Sequence, residues 1–227
     1  MAGRQPKDQI LSDLHSHGIN LNQREIYLHS YYVKDDECEP GVEYRQATTF
    51  IKNLHMLDTG VDPKPILIHI HSEGGCWYNG MAMYNAVQLA RPYITMLAYS
   101  QASSMSGILL QAPTLRIMMP DCHFLMHQGT SDVGGMFNHP MAVKSAADFE
   151  QKACKRMLQI FAERGINGAY FKKRKSSTVE SAYRFFDKKL RDKIDWFLEA
   201  EEAVFYGLAD GILGSKEYPD VESLRGE

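Results

Sequence analysis

The sequence predicts an α/β fold with a largely parallel sheet, and three observations support this prediction. Short apolar segments with strand character alternate along the chain with segments in which apolar residues recur every three or four positions. That alternation is typical of parallel strands joined by helical crossovers. Hydrophobic residues make up 44% of the 227 residues and charged residues 23%, so the composition supports one substantial core.

The predicted elements follow one another in a clear order. Strands are predicted at residues 25–29, 66–71, 93–98, 115–118, 123–126 and, as a last short strand, within 208–213. Helices are predicted at residues 42–57, 76–91, from 108 onward, 140–164, 178–190 and 201–206. In the long helix, Pro140 suits a first helical position and Gly165 suits a C-terminal cap. Its apolar stripe predicts packing against the same domain or against a neighbouring subunit.

The segments between and beyond these elements predict the domain organisation. Residues 1–22 are polar without clear periodicity, so we expect a flexible N-terminal arm. Residues 215–227 are expected to form a mobile charged tail, which leaves a single domain at 23–214. The irregular, acidic stretch at 31–41 is predicted to be a solvated loop, and the basic stretch at 171–177 a solvated helix end or loop.

Charge, hydropathy and cysteine spacing exclude several classes of protein. The net charge is −3 and the pI about 6.3, so no nucleic-acid-binding surface is predicted. No apolar run is long enough to span a membrane, and no signal-peptide core is recognisable at the start. The four cysteines have none of the spacings of zinc ligands, so no metal site is expected. Unpaired cysteines suit a reducing compartment, and we therefore predict a cytoplasmic protein.

The segment at residues 98–107 is the most informative one for function. It joins a predicted strand to a predicted helix and contains Ser103 and Ser104 among small residues. Small side chains permit a sharp turn, and free backbone N–H groups at the start of a helix can stabilise an oxyanion. A serine in this position is either an N-cap or a nucleophile, and the segment alone does not distinguish the two.

A serine nucleophile requires a base, and the base requires an orienting acid. His127 is the stronger candidate base, because it ends an apolar strand and opens a Gly-rich loop. His123, at the other end of that strand, is the weaker candidate. The candidate acids that follow are Asp132, Asp187, Asp192, Asp195 and Asp210. Asp195 precedes an apolar Trp-Phe-Leu triplet, which predicts that its carboxylate is partly buried and fixed in place.

An oxyanion site requires backbone N–H donors near the nucleophile. The N–H of Met105 follows the candidate serine directly. Gly74 and Gly75 follow another predicted strand, and glycine permits a close approach of the backbone to a reacting centre. Either glycine is a candidate for the second donor, although a Gly-Gly pair after a strand is also common in plain turns.

Four motifs, in the family's order, resemble those of the Clp protease proteolytic subunit (ClpP) family. They are IHSEGG at 70–75, SQASSMS at 100–106, FLMHQ at 124–128 and DWFLEAEEAVFYGLAD at 195–210. They are similar to the family's strand followed by SPGG, its GQAASMG, its MIHQP and its D-x-F-L-S-A-x-E-A-V-E-Y-G-L-V-D. The resemblance implies Ser104 as nucleophile, His127 as base and Asp195 as the third triad member.

The resemblance also implies a fold, an assembly and a partner. The expected fold is the ClpP/crotonase type, with stacked β-β-α turns and a projecting handle helix at 140–164. The expected activity is that of a serine endopeptidase acting on polypeptides inside a homo-oligomer of two stacked heptameric rings. No metal or organic cofactor is implied. The expected partner is an AAA+ unfoldase, and since this chain has no GxxxxGK[ST] motif, ATP chemistry would reside in that partner.

Two alternatives stay open, and departures from the family pattern motivate the first of them. Glu73 and Gly129 stand where the family has prolines, and Ser100 stands where it has a glycine. The segments at 35–41 and 168–177 resemble insertions, as in a divergent or phage-encoded member. The chain could therefore be a catalytically silent subunit of a mixed ring. It could also be a crotonase-like acyl-CoA enzyme, which would use an oxyanion site without needing the three triad residues.

Overall fold

The computed structural model describes residues 6–29, 31–32, 38–39, 41–129, 139–174 and 177–225. The helices are α1 Lys7–His17, α2 Tyr44–Leu57, α3 Trp77–Leu89, α4 Met105–Leu109, α5 Pro140–Gly165, α6 Ala169–Lys172, α7 Val179–Lys193 and α8 Ala200–Phe205. The strands are β1 Ile19–Asn20, β2 Glu25–His29, β3 Tyr31–Tyr32, β4 Cys38–Glu39, β5 Gly41–Val42, β6 Ile66–Ser72, β7 Gly74–Gly75, β8 Ile94–Ser103, β9 Leu115–Met118, β10 His123–His127, β11 Asp195–Leu198 and β12 Gly211–Ile212.

The main sheet has the strand order β1-β2-β6-β8-β10-β11, with β9 beside β8 and β12 beside β9. The pairs β2–β6, β6–β8, β8–β9 and β8–β10 are parallel, whereas β1–β2 and β10–β11 are antiparallel. The long strand β8 pairs with β9 through its first half and with β10 through its last residues. Parallel strands end at the same edge of a sheet, so the loops after β6, β8 and β10 lie close together.

The apolar segments become strands because they can be buried on both faces of this sheet. Residues 66–70 of β6 and 94–98 of β8 are buried without interruption, as expected for inner strands of a parallel sheet. Helix α2 shows the opposite pattern, with one apolar face formed by Ala47, Phe50, Leu54 and Leu57. The predicted α/β fold is confirmed, and it matches what the resemblance implies.

The long helix α5 is divided into two parts by its burial. Its C-terminal half packs into the core through Met157, Leu158, Ile160 and Phe161. Residues 141–145 of its N-terminal half are exposed. The N-terminal end of α5 is therefore its solvent-exposed part, and it is the part that the resemblance predicts to project as a handle.

The segment predicted as a flexible arm contains regular structure. Helix α1 spans residues 7–17 and ends at Gly18, whose φ of 62° gives the left-handed cap that glycine favours. Strand β1 then pairs antiparallel with β2, and Asn53 Nδ2 donates a hydrogen bond to the carbonyl oxygen of His17. The helix was missed because α1 buries no residue and so lacks the apolar periodicity that predicts helices.

The segment predicted as a mobile tail packs against the sheet as far as residue 225. Leu224 is buried in a small cluster with Leu67, Leu97 and Ile117 on the second face of the sheet. Arg225 Nε donates a hydrogen bond to Glu25 Oε1 at 2.9 Å. Arg225 Nη2 lies 2.8 Å from the same carboxylate oxygen. The tail thus supplies a cationic partner to a buried carboxylate at the other end of the chain.

Glu25 is a fully buried carboxylate held by several partners. Tyr27 donates a hydrogen bond to Oε2 at 3.0 Å, and His69 Nε2 lies 3.6 Å from Oε1. Burial opposes ionisation, but the contacts from His69, Arg225 and Tyr27 outweigh it and hold the pKa of Glu25 below its ordinary value. The carboxylate is therefore charged at neutral pH and depends on these partners.

We expect Arg225→Ala to lower the free energy of unfolding by about 3 kcal/mol at about pH 7, since it leaves a buried charge uncompensated. When folding lowers a carboxyl pKa, the ionised group stabilises the fold at pH values above its pKa in the unfolded state. This stabilisation is lost as the pH falls through the pKa in the folded state. The deficit of the variant should therefore shrink below the ordinary pKa of 4.5. Urea unfolding at about pH 7 and about pH 4 measures both effects.

A matched control for this prediction is Arg184→Ala. Arg184 pairs with Glu180 on the solvent-exposed surface of α7, and such pairs contribute little. Its removal should leave the unfolding free energy nearly unchanged at both pH values. Equal losses in the two variants would contradict a role for the tail in neutralising Glu25.

Candidate active site

The ends of strands β6, β8 and β10 converge on one serine. Ser104 follows the last residue of β8 and precedes α4, while His127 is the last residue of β10. The Ser104 N–H donates a hydrogen bond to the carbonyl oxygen of Leu125 at 3.1 Å, which ties the turn to β10. The predicted strand-to-helix junction is thus present and lies beside the candidate base.

The turn holds Ser104 in an unusual backbone conformation. Its φ of 54° and ψ of −125° lie outside the regions that non-glycine residues normally occupy. Ser103 is buried, and its N–H donates to Ser106 Oγ at 3.1 Å. The same Ser106 hydroxyl lies 2.7 Å from the carbonyl oxygens of Ser72 and Ser103. Ser106 therefore joins the ends of β6 and β8 beneath the turn, and Ser104 is left facing the cleft.

Three of the predicted site residues form a chain of contacts. His127 Nε2 lies 2.6 Å from Ser104 Oγ, which is a short hydrogen bond. His127 Nδ1 lies 3.4 Å from Asp195 Oδ1. The contact to Asp195 arises because β11 runs antiparallel to β10, with His127 and Asp195 directly paired. The imidazole is therefore between a hydroxyl and a carboxylate, as a general base requires.

Asp195 is more exposed than the adjacent apolar triplet predicts. Its side chain is 55% exposed. Burial alternates along β11, so that Trp196 and Leu198 face the core while Asp195 and Phe197 face solvent. The apolar triplet is real, but the two-residue period of a strand turns Asp195 away from it.

Among the described residues, the other candidates make no contact with His127. His123 is exposed at the opposite end of β10, about 13 Å away along the strand at ~3.3 Å per residue. Asp210 forms an ion pair with Arg116, and Asp187 forms one with Arg191. Asp192 is exposed on α7, and Asp132 lies outside the described residues.

The candidate oxyanion donors differ in their surroundings. The N–H of Gly74 donates to Ser72 Oγ at 3.1 Å. Gly75 and Met105 both line the cavity that contains Ser104 and His127. Met105 is the first residue of α4, where an amide N–H has no acceptor within the helix. These surroundings favour Gly75 over Gly74 as the second donor beside Met105.

Gly74 is required for a different reason, namely close packing. A Cβ atom at this position would lie 2.7 Å from the Ser103 carbonyl oxygen, 2.8 Å from Ser104 Cβ and 2.9 Å from the Met105 nitrogen. Its φ of 112° is also unfavourable for any residue with a side chain. The glycine thus lets β7 lie directly against the turn that carries Ser104.

A cavity of about 400 Å³ opens beside Ser104 and His127. It lies between the start of α3, the turn at Ser104 and helix α5. Its floor is apolar and includes Met105, Ile108 and Met157. Its volume and position suit a substrate side chain next to the reacting bond.

Comparison with known proteins decides the family. The Clp protease family model matches residues 37–216, which is most of the chain. The chain belongs to the Clp protease family. Two proteins named ATP-dependent Clp protease proteolytic subunit, from Dehalococcoides mccartyi strains BAV1 and CBDB1, are each 32% identical to it over 173 residues. The alignments cover 75% of this chain and 77% of each relative.

As a Clp protease family member, the chain is a serine-type peptidase. The positions where it departs from the family pattern lie outside the contacts among Ser104, His127 and Asp195. Glu73 is exposed, and Ser100 Oγ lies 2.8 Å from His71 Nε2 on the exposed surface. Gly129, with a φ of 76°, has open space around its α-carbon. None of these substitutions obstructs Ser104.

Two features of this Clp protease family site are not predicted from the sequence. Ser106 holds the ends of β6 and β8 together under the turn, and the only sign of it in the sequence is the fourth serine of the segment at 98–107. The cavity is also lined by Tyr78, Phe149 and Glu150, which no motif indicates. Among the described residues, no three His, Cys, Asp or Glu side chains are grouped as metal ligands would be. Within the same residues, no helix is both long and apolar enough to cross a membrane.

Proposed function

We propose that this chain hydrolyses peptide bonds through an acyl-enzyme formed on Ser104. The observation that carries the proposal is the 2.6 Å contact between Ser104 Oγ and His127 Nε2, with Asp195 on the other side of the imidazole. The unusual backbone of Ser104 supports it, because strained residues that persist in a fold are concentrated at functional sites.

In the first half of the reaction, Ser104 Oγ attacks the carbonyl carbon of the scissile peptide bond while its proton moves to His127 Nε2. The carbonyl π electrons move to oxygen and produce a tetrahedral oxyanion. Asp195 orients the imidazole with Nδ1–H toward it and stabilises the imidazolium. When the C–N bond breaks, His127 returns the proton to the leaving amine.

The N–H groups of Gly75 and Met105 would bind the oxyanion, while Gly74 keeps the turn in place. A single donor of this kind contributes about 3 kcal/mol to transition-state stabilisation. In the second half of the reaction, water attacks the ester carbonyl and His127 accepts the water proton. The acyl–oxygen bond breaks, Ser104 regains its proton from His127, and the carboxylic acid product leaves.

We also propose that the chain acts as a homo-oligomer of stacked rings, two of seven subunits each, fed by an AAA+ unfoldase. The relatives are named ATP-dependent, and this chain carries no phosphate-binding GxxxxGK[ST] motif of its own. The exposed N-terminal end of α5 is available for contacts with a facing ring. A cytoplasmic location agrees with the free thiols of Cys76, Cys122 and Cys154.

The proposal is tested by treating the full-length protein with a fluorophosphonate and measuring its intact mass. Ser104 Oγ displaces fluoride from phosphorus, so we expect one adduct per chain that maps to Ser104 by peptide mass spectrometry. Ser104→Ala should give no adduct. Ser103→Ala, a matched control at the adjacent residue, should still give one. Labelling that persists in Ser104→Ala would contradict the proposed nucleophile.

A further inference from the structure

A carboxylate lines the cavity beside Ser104. Among the described lining residues Glu150 is the one carboxylate, and none is a lysine or an arginine. Glu150 lies on α5 and is half-buried. It forms no ion pair with any described lysine or arginine. The described lining therefore supplies a carboxylate and no lysine or arginine to pair with it.

Two aromatic rings stand next to this carboxylate. Tyr78 on α3 stacks on Phe149 on α5, with ring centroids 5.1 Å apart and an interplanar angle of 14°. Both line the same cavity as Glu150, and Tyr78 is 67% exposed. Aromatic faces attract cations, and a carboxylate beside them adds a partner of opposite charge. Rings and carboxylate together form a surface suited to an ammonium or guanidinium group.

The rest of the cavity suits an aliphatic stem. Met105, Ile108, Ala153 and Met157 supply apolar surface in the same cavity as Ser104 and Glu150. A long side chain that enters beside Ser104 would lay its methylene groups on this surface. Lysine and arginine are the side chains that combine such a stem with a cationic end.

We propose that Glu150, with the Tyr78–Phe149 pair, makes this cavity a subsite for a lysine or arginine side chain of the substrate. The side chain belongs to the residue whose carbonyl Ser104 attacks, because the cavity opens directly at Ser104 and His127. This inference rests on the proposed function, since it assigns the substrate preference of the same site. Glu150 acts on specificity and takes no part in the bond-breaking steps.

The test measures binding without turnover, on full-length protein carrying Ser104→Ala. Fluorescein-labelled pentapeptides that end in lysine, norleucine or glutamate are titrated and followed by fluorescence anisotropy. We expect lysine to bind about tenfold more tightly than norleucine, and glutamate to bind least. Adding Glu150→Gln should reduce the lysine preference to about twofold, and raising the salt concentration should reduce it as well.

The matched control is Asp148→Asn, which removes the same charge from an exposed position on the same helix that does not line the cavity. It should leave the ratio of lysine to norleucine affinities unchanged. The proposal is overturned if norleucine binds as tightly as lysine, if Glu150→Gln leaves the ratio unchanged, or if no peptide binds. Failure of the proposed function is separate, since it would appear as absent fluorophosphonate labelling of the protein with Ser104 intact.

Discussion

His127→Ala is expected to lower kcat for a peptide substrate by about 10⁶-fold, because the loss of the base leaves Ser104 as an ordinary alcohol. Among the described contacts of Ser104 Oγ, the 2.6 Å contact with His127 Nε2 is the only one that can accept the hydroxyl proton. Hydrolysis of a fluorogenic peptide by the assembled protein measures the loss, and the rate of fluorophosphonate labelling should fall in parallel.

The matched control is His123→Ala, which removes the same side chain from the opposite end of β10. It should leave kcat within a few-fold of the unmodified protein. Asp195→Asn should lie between the two, with a loss of no more than about 10⁴-fold, since a half-exposed carboxylate 3.4 Å from the imidazole is screened by water. A loss in His123→Ala equal to that in His127→Ala would contradict the assignment of the base.

Gly74→Ala is expected to abolish measurable peptide hydrolysis and to destabilise the fold by about 3 kcal/mol or more. The added methyl group would lie within 3 Å of three atoms of the turn that carries Ser104, and two of these atoms belong to the backbone. The turn must move, and Ser104 Oγ and the Met105 N–H move with it. Fluorophosphonate labelling and thermal unfolding of the same preparation measure the two effects.

Gly60→Ala separates backbone strain from this clash. Gly60 also has a positive φ, 88°, but a Cβ atom there would meet no atom within 4 Å. We expect a cost of about 1 kcal/mol in stability and no change in labelling of Ser104. If Gly60→Ala and Gly74→Ala behaved alike, the close approach of β7 to the turn would have no functional importance.

The sequence predicted the fold well where local burial determines the element. β6 and β8 are predicted correctly because the inner strands of a parallel sheet are mostly apolar. α5 is predicted correctly because its terminal residues and its apolar stripe indicate the same helix. The prediction failed for α1, which buries no side chain, and for the tail, whose polar residues conceal the anchor formed by Leu224 and Arg225. An apolar pattern in the sequence does not reveal an element that only a few buried side chains hold in place.

The sequence by itself determined the order of strands and helices, the turn that carries Ser104 and the resemblance on which the site residues were chosen. Only the tertiary structure decided that His127 meets Asp195 through the register of β10 and β11. It also turned Asp195 toward solvent, distinguished Gly75 from Gly74, and brought Tyr78 of α3 beside Phe149 and Glu150 of α5. The physical reason is that local periodicity reports which face of an element is buried, whereas contacts between distant segments depend on register and packing.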